Sequence, residues 1–518
     1  MLLQLGIEIL GNIQNHLTKI VNFEISNSVA SNVNQKLIKV CMEEYEDTNA
    51  HDLIERVLNK IATGVTNVLN SFLSILSPFF MTITHAAILY AIVWYFPIII
   101  ILSNIPYIIS LFLNNRKRYN QYVERNKDKR YIQYLTNALM ERQNAKDIRL
   151  YKLVDFFTEK LNIIRTRVFK SELNLSIRLS HVTLLMDFIK NLSLGICLVL
   201  TAILVWRGET TIGSFVMVYS VVNQITANLS SFMNQISNMD DIGIYLKDWG
   251  DLLELTEESK SNKKCENNFS VRFQNVSFHY PNVEKNVLDN ISIEINHGDK
   301  VAIVGENGSG KSTFLNLLLG LYRPTSGDIF ISNDKIEDVL TDYRKKSVCM
   351  FQDYIKFQLS IAENVMAGNF GQDISLDSHP HLLDTIPVNL SNGLDTELGQ
   401  LDENAVELSG GEWQKIALVR TLIRENSEMI ILDEPTSNLD PIIECGMIEM
   451  FRQFYNDKKF IITSHRFVFS NFCNRIIVFD KGKIVEDGSH HELMENKGVY
   501  YELYRSQNKL FMDSATKY

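Results

Sequence analysis

A glycine-rich stretch at residues 305–313 has the residue types that bind a chain of phosphates. Its sequence, Gly-Glu-Asn-Gly-Ser-Gly-Lys-Ser-Thr, matches the pattern G-x-x-x-x-G-K-S/T in full. Glycines let backbone N–H groups approach phosphates, the lysine reaches the β- and γ-phosphates, and the following serine holds Mg²⁺. A glycine-rich turn that binds nothing is the alternative. The predicted phosphate-binding residues are Gly305, Glu306, Asn307, Gly308, Ser309, Gly310, Lys311, Ser312 and Thr313.

Two adjacent carboxylates further along the chain predict the rest of a hydrolytic site. Asp433 and Glu434 follow the apolar run Met-Ile-Ile-Leu, which is typical of a buried strand. A carboxylate at the carboxyl end of a parallel strand lies where ligands bind in open α/β sheets, so Asp433 is predicted to reach Mg²⁺, directly or through water. Glu434 is the candidate base for an attacking water. The alternative is a solvated acidic turn.

These residues need a sheet and a helix to position them. Val301–Val304, before the glycine-rich stretch, predicts a buried parallel strand, and Phe314–Leu319 predicts a helix that ends at Gly320. An alternating segment, 271–278, predicts another strand shortly before Tyr280, which is placed to stack on a nucleotide base. Strand, glycine-rich turn and helix is the context that the phosphate-binding pattern requires.

Four further motifs carry a resemblance to a known family. Leu408-Ser409-Gly410-Gly411-Glu412 resembles the signature sequence of ATP-binding cassette (ABC) ATPases. In the same order as in that family, Gln352 resembles the Q-loop, Ser437-Asn438-Leu439-Asp440 the D-loop, and Ser464-His465-Arg466 the H-loop. The resemblance covers nearly the whole chain, which looks like an ABC exporter half-transporter.

The resemblance implies a mechanism with two cassettes that enclose two ATP molecules. The signature of one chain then faces the phosphate loop of the other, which would give Ser409, Gly410, Gly411 and Asp440 a place in ATP binding. It also implies that His465 contacts the γ-phosphate, and that Gln352 senses Mg²⁺ and reports to the membrane half. With these residues and Glu434 all present, a homodimer is expected and a heterodimer stays open.

The N-terminal half has the composition of membrane-spanning helices. From Ile61 to Asn115 there is no Asp, Glu, Lys or Arg, a length that fits two bilayer crossings of about 20 residues each. A cluster of Lys and Arg after the second span marks the cytoplasmic side, so the ATP-binding half is expected in the cytoplasm of a cell whose cytoplasmic membrane holds the helices. The four predicted spans are Ser71–Trp94, Phe96–Leu113, Asn191–Trp206 and Thr210–Met239. The first 37 residues predict one weaker helix.

We therefore predict a membrane α-helical bundle of about four or five helices, followed by an α/β P-loop NTPase domain. The predicted bounds are 1–255 for the membrane domain, 256–268 for a polar, structureless linker and 269–518 for the ABC domain. By resemblance, residues 43–52 and 136–151 look like cytoplasmic coupling segments that rest on the cassette. His85, within the first pair of spans, is expected to be a packed or hydrogen-bonded helix residue rather than a proton relay.

Composition excludes some classes of protein and leaves others open. The net charge of −10 argues against a nucleic-acid partner, and six scattered cysteines suggest neither a disulfide framework nor a zinc site. The expected function is ATP-driven export of a peptide, lipid or drug-like substrate. Because the chain begins about where the family's second span would, a shortened, non-transporting ABC half that needs a partner is the alternative. The uncharged stretch argues against a third class, soluble ABC ATPases acting on ribosomes or DNA.

The transported substrate has only a weak sequence indication. Residues 145–151 and 413–415 look most like those of exporters of peptides or modified bacteriocins.

Overall fold

The computed structural model describes most of the chain and divides it into two units. The described residues are 2–124, 126–258, 261–281, 283–369, 379–383, 385–386, 392–437, 441–464, 469 and 472–506. The helical unit comprises residues 1–36 and 53–254, and the sheet unit comprises residues 37–52 and 255–518. The short segment 37–52 thus groups with the C-terminal part of the chain. The predicted domain bounds stay a prediction.

The first eight helices run from the N-terminus to the end of the helical unit. They are α1 (Leu2–Leu37), α2 (Met42–Glu46), α3 (Thr48–Ile92), α4 (Phe96–Glu124), α5 (Asn126–Met140), α6 (Ala145–Leu150), α7 (Val154–Trp206) and α8 (Ile212–Glu254). Of these, α2 belongs to the sheet unit. The turn between α3 and α4 is tight, and α4 begins at Phe96 with Pro97 in its first turn, where proline costs no helical hydrogen bond.

Among the described residues, three helical stretches are long and apolar enough to cross a bilayer. They are Ser74–Ile92, Val154–Trp206 and Ile212–Met233, and Phe96–Tyr107 is a shorter apolar stretch. The prediction of membrane-spanning helices ahead of a sheet-containing domain is confirmed. The predicted span Phe96–Leu113 lies within α4, which continues to Glu124.

Polar contacts join α4 to α7 along much of their length. The hydroxyl of Ser103 donates to that of Ser193 over 2.8 Å, and Gln121 Nε2 donates to the Ser171 hydroxyl over 2.9 Å. Between these two contacts, the ammonium of Lys190 lies 4.5 Å from the ring centre of Tyr107. The positions run in opposite directions along the chain, so the two helices are antiparallel.

His85 makes the hydrogen-bonded contacts expected of a helix residue. One ring nitrogen contacts the Met81 carbonyl oxygen, and the other contacts Gln224 Oε1 on α8. The side chain therefore joins α3 to α8 within the helical unit.

The sheet unit contains two sheets. Its strands are β1 (Val271–Phe278), β2 (Leu288–Ile295), β3 (Lys300–Gly305), β4 (Ser326–Ile331), β5 (Asp334–Lys335), β6 (Ser347–Met350), β7 (Met429–Asp433), β8 (Lys459–Thr463), β9 (Arg475–Asp480) and β10 (Lys483–Gly488). An antiparallel sheet has the order β2-β1-β4-β5, and a six-stranded sheet has the order β10-β9-β3-β8-β7-β6. The second sheet is parallel except for β10, which pairs antiparallel with β9.

Helices complete the sheet unit. They are α9 (Lys311–Leu318), α10 (Ile336–Lys346), α11 (Ile361–Met366), α12 (Pro380–Leu383), α13 (Gly410–Leu422), α14 (Pro441–Phe454) and α15 (His490–Asn496). The central strands β7 and β8 are buried at every residue, as expected for parallel strands covered on both faces. The predicted strands 271–278 and 301–304 are confirmed as β1 and β3, and β3 pairs parallel with both of its neighbours.

Gly320 ends α9 as its sequence position predicts. Its φ is +62°, in the left-handed region that glycine enters at little cost. The Gly320 N–H donates to the Leu317 carbonyl and the Leu321 N–H donates to the Asn316 carbonyl, at 2.9 and 3.0 Å. This pair of bonds satisfies carbonyl groups that the helix end leaves open.

The predicted linker is fastened to the sheet unit in its described part. Residues 261–268 contain no helix or strand, but Cys265 is only 6% exposed. Its N–H donates to Asp342 over 2.9 Å, and its carbonyl accepts from Lys346 Nζ over 2.8 Å. Burial raises the pKa of the Cys265 thiol to about 11. The polar composition of this segment therefore reflects bonds to the sheet unit as well as contact with water.

Candidate nucleotide-binding site

Three neighbouring parallel strands end at the edge of the sheet where the predicted site residues lie. In β3 and β8, Ile303 pairs with Thr463, and in β7 and β8, Asp433 pairs with Thr463. The glycine-rich stretch follows β3, and the two carboxylates lie at the end of β7. The carboxyl edge of a parallel sheet therefore brings together two motifs that are far apart in sequence.

The glycine-rich stretch forms a turn that needs glycine at two positions. Gly305 has a φ of +154°, and a side chain there would meet the carbonyl oxygen of Phe479. Gly310 has a φ of +105°, and a Cβ atom would lie 2.7 Å from Leu288 Cδ2. The loop between β3 and α9 can follow this path only with glycine at both places.

Lys311 is folded over this loop. Its side chain is buried, and its Nζ donates to the carbonyl oxygens of Gly305 and Glu306, both at 2.9 Å. Burial lowers the pKa of the ammonium, while Glu434 and Asp433 act in the opposite direction. A cation held by two carbonyl groups beside a helix N-terminus favours an anionic ligand.

The loop also holds a polar atom that a phosphate could satisfy. Ser309 is 4% exposed, and within the described part of the chain its hydroxyl has no hydrogen-bond partner. A buried unpaired hydroxyl costs free energy unless a ligand or water pairs with it. Ser312, at the start of α9, is exposed. The loop therefore suits the phosphates of ATP in three respects: its glycine-rich backbone, the Lys311 cation and the unpaired Ser309 hydroxyl.

The two carboxylates after β7 have different surroundings. Asp433 is 6% exposed, and one carboxylate oxygen accepts a hydrogen bond from the Thr463 hydroxyl. Glu434 has a φ of +49°, which is unusual for a residue with a side chain. Its Oε2 accepts a hydrogen bond from Gln352 Nε2 over 3.0 Å. The structure thus brings together Gln352 and Glu434, which sequence reasoning assigned to one site.

Tyr280 lies close to the loop. Its hydroxyl is 3.2 Å from the Thr313 hydroxyl, and its ring makes an edge contact with Tyr322 at a centroid distance of 5.5 Å. The predicted stacking of this ring on a base stays a prediction.

The signature residues lie at the start of α13. Ser409 is exposed and caps the helix: its hydroxyl accepts from the Glu412 N–H, and Glu412 Oε2 accepts from the Ser409 N–H over 2.8 Å. These bonds with the Ser409 side chain and backbone lower the pKa of Glu412. This reciprocal capping explains why the helix starts at Gly410. His465 and Asp440, also predicted for the site, lie outside the described residues.

Two residues at the site were missed by sequence reasoning. Thr463 contacts Asp433 through its hydroxyl and Glu434 through its backbone. Gln414 is 1% exposed, and its Nε2 donates to the Glu434 carbonyl oxygen over 3.3 Å. The available signals were a threonine that ends an apolar strand and a glutamine among the apolar residues of α13.

Comparisons with known proteins agree with this geometry. The family profile described as ABC transporter matches residues 288–437. The subtilin transport ATP-binding protein SpaT of Bacillus subtilis is 30% identical, with 97% of this chain and 84% of that protein aligned. The nisin transport ATP-binding protein NisT of Lactococcus lactis subsp. lactis is 27% identical, over 96% of this chain and 85% of that protein.

Similarity extends to a lipid transporter and to a solved structure. The ATP-dependent lipid A-core flippase of Wigglesworthia glossinidia brevipalpis is 25% identical over 93% of this chain and 84% of that protein. A bacterial Atm1-family ABC exporter with ATP bound has the same fold, with a TM-score of 0.81, 24% identity and coverage of 96% of this chain and 88% of that one. The chain therefore belongs to the ABC transporter family, as an exporter with its membrane helices and its ATP-hydrolysing domain in one polypeptide.

Proposed function

We propose that two copies of this chain form an exporter that moves a peptide out across the cytoplasmic membrane at the expense of ATP. The observation that supports the proposal is that one polypeptide contains the residues predicted for both halves of an ATP site. The phosphate loop and Glu434 lie at the carboxyl edge of the sheet, and Ser409 is exposed at the start of α13. Two identical chains that face each other would therefore complete two equivalent sites.

Each predicted residue has a role in this proposal. The backbone and side chains of residues 305–313 bind the phosphates, with Lys311 neutralising charge. Ser312, Asp433 and Gln352 would hold Mg²⁺, because hydroxyl, carboxylate and carboxamide oxygens are the hard ligands that this cation takes. The metal would neutralise charge that develops on the phosphates.

The remaining residues act on the attacking water, on the adenine ring and on the nucleotide held by the other copy. Glu434 accepts a proton from the attacking water, and His465 contacts the γ-phosphate. Tyr280 stacks on the adenine. Ser409, Gly410, Gly411 and Asp440 act on the nucleotide held by the other copy, where the N-terminal amides of α13 favour a negative charge.

The proposed substrate class rests on the relatives. SpaT and NisT, named for the transport of subtilin and nisin, align with nearly all of this chain, membrane helices included. The flippase relative is named for a lipid, so a lipid is the second candidate substrate. The comparisons do not favour the alternative of a non-transporting half.

The test is ATPase activity of the purified full-length chain in lipid vesicles, with Glu434→Gln as the matched variant. We expect turnover that requires Mg²⁺ and is inhibited by vanadate, and a variant that binds ATP but hydrolyses it far more slowly. Hydrolysis by Glu434→Gln at the wild-type rate would contradict the assignment of the base. ATP binding without turnover in the wild type would contradict the homodimer and direct the search to a partner chain.

Inside-out vesicles then separate the two substrate classes. ATP-dependent uptake of labelled nisin, lost in Glu434→Gln, would support a peptide substrate. Movement of a labelled lipid A-core probe without any uptake of nisin would replace the peptide by a lipid.

A further inference from the structure

Glu434 has a backbone conformation that the surrounding residues must maintain. Its φ of +49° lies in the left-handed region, which is unfavourable for a residue with a side chain unless its neighbours hold it there. The Glu434 N–H donates to the Thr463 carbonyl oxygen over 3.1 Å, and the Thr463 hydroxyl lies at the same distance from that nitrogen. The end of β8 thus fixes the amino side of this residue.

Gln414 fixes its carboxyl side. Its Nε2 donates to the Glu434 carbonyl oxygen over 3.3 Å and to the Ser437 hydroxyl over 3.4 Å. The Ser437 N–H donates to the same carbonyl over 3.4 Å. One side-chain amide therefore reaches both ends of the turn formed by residues 434–437.

Burial makes this contact energetically significant. Gln414 is 1% exposed, between the buried residues Trp413 and Ile416 of α13. A carboxamide in such surroundings destabilises the fold when its polar groups lack partners. An apolar residue would pack there without that cost, so the position of the amide points to a task at the Glu434 turn.

We propose that Gln414 is a positioning residue for ATP hydrolysis, which holds the strained turn of Glu434 so that the carboxylate stays directed at the attacking water. This inference rests on the proposed role of Glu434 as the base. Gln414 contacts the backbone of that residue and leaves its carboxylate to Gln352. Ser409 caps the start of the same helix, so the hydrogen bond also joins the signature segment to the proposed catalytic base of the same chain.

The test is the kinetics of Gln414→Met in the full-length chain in lipid vesicles. Methionine has a similar length and packs in apolar surroundings, but it cannot donate to the Glu434 carbonyl. We expect kcat to fall about tenfold, as for the loss of about 1.4 kcal/mol of transition-state stabilisation, with KM for ATP changed less than about twofold. Gln414→Asn keeps the amide but is too short to reach the Glu434 carbonyl. It should show the same fall in kcat with a similarly small change in KM.

Thr421→Val is the matched control, because it removes a buried hydroxyl on α13 that, within the described part of the chain, bonds only to the Ala417 carbonyl of the same helix. It should keep the wild-type kcat. An unchanged kcat in both Gln414 variants would overturn the proposal, and so would an equal loss of kcat in the control.

A second kinetic test distinguishes the positioning role of Gln414 from the role of Glu434 as the catalytic base. In the Glu434→Gln background, Gln414→Met should cause no further loss of the residual single-turnover rate, because the group that it positions is gone. A further tenfold loss would overturn the positioning role. A Glu434→Gln single variant with the wild-type rate would instead contradict the base assignment itself.

Discussion

The Tyr322 hydroxyl donates a hydrogen bond to the Glu46 carboxylate over 2.8 Å, and so joins the region after α9 to the short helix α2. Next to it, the Arg323 N–H donates to Glu43 over 2.9 Å. Burial, followed by the hydrogen bond to Glu46, raises the pKa of Tyr322. The Tyr322 ring also contacts Tyr280, the residue predicted to stack on adenine. A single aromatic side chain therefore lies between Tyr280 and α2.

This relationship predicts that Tyr322→Phe weakens the coupling of ATP hydrolysis to transport. The variant keeps the ring against Tyr280 but loses the bond to Glu46, which is worth about 1.5–3 kcal/mol for a charged acceptor. We expect ATP hydrolysis to continue near the wild-type rate while ATP-dependent uptake of a labelled peptide by inside-out vesicles falls several-fold. The measured quantity is the ratio of peptide transported to ATP hydrolysed.

Tyr343→Phe is the matched control for this prediction. The Tyr343 hydroxyl is also buried, but it donates to the Leu318 carbonyl inside the sheet unit and does not reach residues 37–52. The control should lose some thermal stability and keep the coupling ratio. If both variants showed the same ratio as the wild type, Tyr322 would have no part in coupling.

Lys311→Ala should weaken ATP binding strongly. The substitution removes a buried cation that two loop carbonyls hold in place. Bound phosphates would lose this charged partner, and loss of one partner of a buried charged pair costs about 2–5 kcal/mol. We expect an ATP Kd at least about 30-fold higher, measured by titration of the full-length chain with a fluorescent ATP analogue. Lys335→Ala is the control, because that lysine is half-exposed and pairs with Asp328. Unchanged affinity in Lys311→Ala would contradict the phosphate-loop assignment.

Much of the local structure of the candidate nucleotide-binding site could be predicted from the sequence because its motifs are local. The glycines, Lys311 and the end of α9 at Gly320 each follow from the conformational needs of a few consecutive residues. The carboxylates after β7 followed from the same kind of rule, since an apolar run predicts a buried strand. For these elements the sequence already names the residues, and the structure adds the distances between them.

The contacts that join distant segments could not be predicted in this way. The resemblance implied that residues 43–52 rest on the cassette, and they group with the sheet unit, but nothing in their spacing indicates that Glu46 meets Tyr322. Gln414 has the appearance of an ordinary polar residue in a helix until the fold buries it against the Glu434 turn. A polar residue gains its partner from the tertiary structure, and sequence periodicity carries no information about that partner.

The cap of α13 separates structural and functional effects of the signature serine. Ser409→Ala loses both its exposed hydroxyl and the cap, whereas Glu412→Ala loses only the reciprocal bonds to Ser409. Loss of a helix cap costs about 0.5–2 kcal/mol. We expect Glu412→Ala to lower the thermal stability and keep most ATPase activity, and Ser409→Ala to lower activity more. Equal activities in the two variants would indicate that Ser409 acts only as a cap.

The same cap gives a predicted dependence on pH. The bonds from Ser409 lower the pKa of Glu412 below its ordinary value of 4.5, so the folded chain favours the carboxylate more than the unfolded chain does. This stabilisation is complete above pH 4.5 and is lost as the pH falls through the folded-state pKa. Between pH 6 and 8 the apparent Tm difference between wild type and Glu412→Ala should therefore stay constant, which thermal scans would measure.

Arg344 should stabilise the end of α9 through several bonds at once. Its guanidinium pairs with both carboxylate oxygens of Glu258, at 2.7 and 3.0 Å, and donates to the carbonyls of Leu319 and Gly320. Lysine offers no planar fork, so Arg344→Lys cannot keep both sets of bonds.

We expect amide hydrogen exchange at residues 318–321 of the full-length chain to become roughly tenfold faster in Arg344→Lys, as for a loss of about 1.4 kcal/mol of local stability. Glu258→Gln should have a smaller effect, because Arg344 keeps its two carbonyl acceptors. Lys335→Ala, which removes a half-exposed ion pair elsewhere in the sheet unit, should leave these amides unchanged. Exchange at the wild-type rate in Arg344→Lys would show that the glycine turn alone closes the helix.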